Sequence, residues 1–101
     1  MTRKIKNIHP GEILEVEFLK PLNITPYRLA KETLIPATRI SQIIKGKRSI
    51  TPDTALRLSR FFGNSADFWL GLQTEFDLRE MGSSIKKELN MIKNYAEVVN
   101  L

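Results

Sequence analysis

Between residues 38 and 47 the chain gathers side chains able to bond nucleic acid: Thr38, Arg39, Ser41, Gln42, Lys45 and Lys47. Ile40 and Ile43 fall among them at helical spacing, so one helix face is apolar and Thr38, Arg39, Ser41, Gln42 and Lys45 point outward. A helix face meant only for water is usually rich in Glu and Lys. This one offers Thr, Arg, Ser and Gln, the groups that bond base edges and phosphate oxygens. Arginine reaches two acceptors of guanine at once, and glutamine matches the acceptor and donor of adenine. The pattern implies a helix that reads DNA.

Such a helix must be held at a steep angle, and the residues before it supply the support. The stretch P-Y-R-L-A-K-E-T-L-I-P-A-T-R-I-S-Q-I-I-K, residues 26–45, reads as two short helices joined by a tight corner. Thr25 caps the first and Pro26 takes its first position. Leu29 and Ala30 face the second helix, Ala30 being small enough for close backbone approach, while Ile35 fills the corner. That corner is Thr33-Leu34-Ile35-Pro36, with Pro36 expected to start the reading helix and Gly46-Lys47 to end it. Tyr27 and Arg28 sit on the opening turn of the first helix, where such a helix crosses the DNA backbone. Both are phosphate candidates, and Tyr27 is equally a candidate for packing.

The flanks read as further helices. His9-Pro10-Gly11-Glu12 opens one with an apolar stripe of Ile13, Leu14, Phe18 and, after the helix, Leu22, and Pro21 is expected to end it. His9 is expected to cap or pack locally. Thr51-Pro52-Asp53 opens another through Ala55, Leu58 and Phe62 to Gly63, and Ser65 caps a last one carrying Phe68, Trp69, Leu72 and Phe76. The aromatic set Phe61, Phe62, Phe68, Trp69 and Phe76 suits a core better than a ligand cage, with some of it open to a partner subunit. From Ser83 the composition shifts. Ile85, Leu89, Ile92, Ala96 and Val99 recur like a short heptad seam, with a strand from Tyr95 to Leu101 as the alternative.

Charge agrees with the polar helix. The chain carries a net +5, unevenly spread. Residues 25–60 hold eight Lys and Arg against Glu32 and Asp53, a local +6, whereas residues 61–80 are at −3. A basic cluster over a candidate reading helix is the footprint of a phosphate binder.

Other chemistries are poorly served. There is no Cys, one His, no Gly-rich phosphate loop and no H-E-x-x-H or G-x-S-x-G, so neither catalysis, cofactor nor metal site is expected. No run approaches the ~20 apolar residues that span a bilayer. The basic start M-T-R-K-I-K-N-I-H-P has no apolar stretch behind it, and a cytoplasmic protein is expected.

Several blocks in register resemble the HigA/VapI antitoxins of the phage-repressor-like (XRE) helix-turn-helix superfamily: H-P-G-E-I-L at 9–14, Y-R-L-A-K at 27–31, T-R-I-S-Q-I-I-K-G-K-R-S-I-T at 38–51, D-T-A-L-R-L-S-R-F-F-G at 53–63 and F-W-L-G-L-Q-T-E-F-D-L-R at 68–79. The resemblance implies an all-α fold, a compact five-helix lambda-repressor-like DNA-binding domain over residues 1–80 with its motif at 26–45. The C-terminal extension 81–101 is left for dimerisation or partner contact. It further implies a homodimer on a palindromic operator in double-stranded DNA and a HigB-type messenger-RNA endonuclease toxin, which the antitoxin neutralises while repressing their shared promoter. A solitary repressor without a toxin is the alternative. By position, Thr38, Arg39 and Gln42 would face the major groove, and Arg28, Ser41, Lys45 and Lys47 would join Tyr27 as phosphate contacts. Two positions depart from the pattern. Leu34 stands where glycine is usual, and a left-handed leucine costs about 1–2 kcal/mol, which predicts an altered helix end and a tilted reader. Ala37 replaces a larger side chain able to touch bases.

Overall fold

The computed structural model describes residues 6–99. Residues 1–5 of the expected domain and residues 100–101 of the expected C-terminal extension, with the end of its alternative strand, lie outside that range. Helix α1 covers residues 10–22 and starts as read: His9 is its N-cap, its Nδ1 accepting the Gly11 N–H at 2.9 Å, with Pro10 at the first position. Its middle, Leu14–Leu19, widens into π-type turns, and the Lys20 N–H reaches back to the Glu15 carbonyl. Pro21 therefore does not end the helix, contrary to expectation. A proline in a regular helix collides with the carbonyl four residues back, and the wider turn relieves that conflict. The chain instead stops at Asn23, whose φ is 56°. The inserted residue also rotates the apolar face: Leu19 is buried at 2% exposure, while Leu22, expected in the stripe, is 56% exposed.

Helix α2, Pro26–Thr33, is capped by Thr25 Oγ1, which accepts the Arg28 N–H at 3.1 Å. It ends at Leu34 in the left-handed conformation, φ 59° and ψ 34°, with the Leu34 N–H bonded to the Ala30 carbonyl. Leucine thus takes the conformation glycine would have taken, and the expected alteration of the helix end does not occur. Helix α3 is Ala37–Ile44; Pro36, with ψ 138°, stands just outside it as N-cap rather than as its first residue. Gly46, φ 75°, closes the α3 end as read.

Helix α4, Pro52–Phe62, opens at Thr51 and stops at Gly63, whose φ is 77°. Helix α5, Ala66–Ser84, opens at Ser65, whose Oγ accepts the Phe68 N–H at 3.0 Å, and runs four residues past 80. Short helices α6, Lys86–Met91, and α7, Tyr95–Val99, complete the described chain, so the tail is helical and not a strand within that range.

Leu14, Leu19, Leu29, Ile35, Ile40, Ile43, Ile50, Ala55, Leu58 and Trp69 form one buried cluster joining α1 to α5. Trp69 is fully buried, and its Nε1 donates to Asn64 Oδ1 at 2.9 Å, which satisfies the indole proton the core would otherwise strand. Phe18 packs on Phe62 and Trp69 with ring centroids 5.0 and 4.9 Å apart. Phe68 is 40% exposed and lies at the rim. The tail stays off this core: Leu89, Met91, Ile92, Tyr95, Val98 and Val99 are all exposed. It draws the radius of gyration to 17.8 Å, against about 13 Å for a compact domain of this length.

Candidate nucleic-acid interface

The corner between α2 and α3 is fixed from behind by their apolar faces. Leu29, Ala30 and Thr33 on α2 and Ile40 and Ile43 on α3 are buried, with Ile35 between them. A second support comes from α1. A Cβ on Gly11 would stand 1.7 Å from the Ile43 carbonyl oxygen, so only glycine lets the start of α1 rest on the end of α3. His9 adds to that junction: its ring meets Phe76 edge-on at 4.9 Å and lies beside Gly46.

These supports leave Thr38, Gln42, Lys45 and Lys47 exposed, while Arg39 and Ser41 are half-buried. Thr38, Gln42 and Lys45 share one face of α3 by helical spacing. Gln42 Oε1 accepts from Arg48 Nη1 at 3.2 Å, which fixes the amide orientation. Tyr27 is 73% exposed, so the packing alternative for it falls away. Arg28 lies beside Glu32, Nε to Oε2 at 3.6 Å, an exposed pair of small energetic weight.

Arg39 is not free. Its Nη1 donates to Asp53 Oδ2 at 2.9 Å. Arg57 donates Nε to the same carboxylate at 3.1 and 3.2 Å, and its Nη1 to the carbonyls of Thr33 and Leu34 at 3.3 and 3.2 Å. Those carbonyls are the unpaired acceptors at the end of α2, so Arg57 caps the helix at its left-handed leucine. The Arg57 hydrogen bond, then that of Arg39, holds the Asp53 carboxyl below the usual carboxylate range. In the sequence Asp53 reads only as a helix-opening residue; its spacing of four from Arg57 is the visible signal of a pair. Gln73 carries no such signal. Buried at 5% exposure, it accepts the Ile50 N–H at 2.8 Å and donates to Asp77 at 2.9 Å, pinning the segment that follows α3 to α5.

Burial keeps the His9 pKa below its usual range, with Asp77 opposing. The neutral ring also accepts the Gly11 N–H through Nδ1, a bond imidazolium cannot make. The folded pKa is the lower one, so this contribution is complete above the unfolded value and is lost as pH falls through the folded one. The melting temperature is expected to drop between about pH 7 and about pH 5. His9→Asn, which retains a capping acceptor, should flatten that slope; an unaltered slope would exclude His9 as its source.

Among the described residues no helix is long and apolar enough to cross a membrane. A family model described as helix-turn-helix, HTH_3, matches residues 17–69. The chain is 47% identical over 85 residues to Virulence-associated protein I of Dichelobacter nodosus, covering 84% of this chain and 78% of the relative. It is 32% identical over 90 residues to Antitoxin HigA-1 of Vibrio cholerae, covering 89% and 85% respectively. Among solved structures, the Pseudomonas aeruginosa antitoxin HigA with the higBA promoter superposes with a TM-score of 0.85 at 37% identity, covering 89% of this chain and 99% of the other.

Proposed function

The chain belongs to the HigA/VapI-type antitoxins of the XRE helix-turn-helix superfamily, and from that membership we propose that it binds an operator in its own promoter and neutralises a HigB-type toxin. The observation that carries the DNA reading is the polar face of α3, presented outward because Leu29, Ala30, Ile35, Ile40 and Ile43 are buried behind it. Thr38, Arg39 and Gln42 read bases; Tyr27, Arg28, Ser41, Lys45 and Lys47 hold phosphates. A homodimer places two α3 helices in successive major grooves about 34 Å apart on a palindrome. The exposed apolar side chains of Leu78 and Met81 on α5, with those of α6 and α7, support a contact with a second copy or the toxin. The place of action is the cytoplasm.

Fluorescence anisotropy of the full chain against duplex DNA flanking its own gene, beside a scrambled duplex, tests the proposal at two salt concentrations. Tight, salt-steep binding to the flanking duplex alone supports an autoregulator. Equal, weak binding to both removes the operator reading. A neighbouring gene whose product arrests growth, and which this chain silences, supports the toxin partner; without such a neighbour the protein is a solitary repressor.

Lys45→Ala is expected to weaken all duplexes alike and to lower the slope of log affinity against log salt by about 0.9, one released counterion. An unchanged slope would remove Lys45 from the phosphate contacts.

A further inference from the structure

An acidic side chain bonded to a base-reading arginine needs a reason, because it repels the polyanion that the surface attracts. Asp53 is such a side chain. It stands at the start of α4, half-exposed, among Arg39, Arg48 and Arg57. Its carboxylate connects Arg39 on α3 to Arg57, and Arg57 connects in turn to the carbonyls that end α2. One continuous set of charge-assisted bonds therefore ties both arms of the helix-turn-helix to α4.

The consequence falls on Arg39. An untethered arginine near DNA is long, flexible and attracted to every phosphate within reach, and phosphates carry no sequence information. The bond to Asp53 occupies Nη1 and fixes the plane of the guanidinium, leaving the Nε–Nη2 edge for the two acceptors of a base. Arg57 prevents the carboxylate from swinging away with Arg39.

We infer that Asp53 determines specificity at this interface: it holds Arg39 in the base-reading orientation and withholds it from the backbone, giving up general affinity for discrimination. This rests on the DNA-reading function proposed above.

The test measures dissociation constants of the full chain for its operator and for a scrambled duplex, in wild type, Asp53→Asn, Asp53→Glu, Arg39→Ala and the Arg39→Ala/Asp53→Asn double variant. Asp53→Asn is expected to bind scrambled DNA roughly 3- to 10-fold more tightly, with a steeper salt slope, as Arg39 becomes one more phosphate contact. Its operator-to-scrambled ratio is expected to fall on the order of 10-fold. Asp53→Glu, which restores the charge, should recover much of that ratio. With Arg39 already alanine, Asp53→Asn should change both duplexes equally. Each ratio comes from one preparation, so any loss of folded protein cancels. A ratio unchanged in Asp53→Asn, or one that falls just as far without Arg39, would overturn the inference. If wild type itself fails to discriminate, the operator reading fails and this inference falls with it. Discrimination by wild type that survives Asp53→Asn overturns the inference alone.

Discussion

Gly11→Ala is expected to lower the melting temperature by on the order of 15 °C or more, as followed by circular dichroism. The added Cβ would lie 1.7 Å from the Ile43 carbonyl oxygen, 2.6 Å from its carbon and 3.0 Å from the Ile44 Cα. All three are backbone atoms, so no side chain can rotate away. Either α1 lifts from α3 or the end of α3 shifts. Overpacking a core with flexible neighbours costs about 1–3 kcal/mol, and a clash between two backbones belongs at or above the top of that range. Each kcal/mol moves the midpoint of a domain this size by roughly 4–8 °C. A total stability of about 5–15 kcal/mol leaves little margin. Gly71 and Gly82 provide the comparison: both lie inside α5 with open space where a Cβ would go, and alanine there should stabilise by up to about 1 kcal/mol. A midpoint for Gly11→Ala within about 4 °C of wild type would mean that the α1–α3 contact is softer than its geometry.

The second large effect belongs to the reading face. Arg39→Ala combined with Gln42→Ala is expected to remove about 2–6 kcal/mol of operator discrimination, from about 1–3 kcal/mol for each bidentate contact. Binding to scrambled DNA should change far less, because Lys45 and Lys47 remain exposed at the end of α3. The pair share neighbouring anchors: Arg39 is held by Asp53 and Gln42 by Arg48. Departure from additivity between the single variants would measure coupling through that arginine-rich surface. Competition anisotropy with single-base operator variants assigns the positions. Equal losses on operator and scrambled duplexes would make both residues phosphate contacts and return base reading to Thr38.

Much of this interface is legible in the residue order. Thr25, Thr51 and Ser65 mark three helix starts, and Gly46 and Gly63 mark two ends, because each meets unpaired backbone groups within a few residues of itself. The apolar positions Leu29, Ile40 and Ile43 fall inward as their spacing requires. Pro36, expected as the first residue of α3, stands just outside it, and local rules fail more widely at two further places. Pro21 should have broken a regular helix, and the widened turns of α1 absorb it, turning Leu19 inward and Leu22 out. Leu34 should have disturbed the corner, and Arg57, 23 residues further on, caps it.

Helix succession, capped ends and the polar face of α3 follow from residue order alone, because capping bonds and the 3.6-residue period act within one or two turns. It takes the packed fold to bring Arg39 to Asp53, to set Gln73 against the segment after α3, and to bar any side chain from position 11. Those contacts join residues 14, 23 and 32 positions apart. Whether such pairs meet depends on how the whole core packs, a sum over many side chains that no local pattern contains.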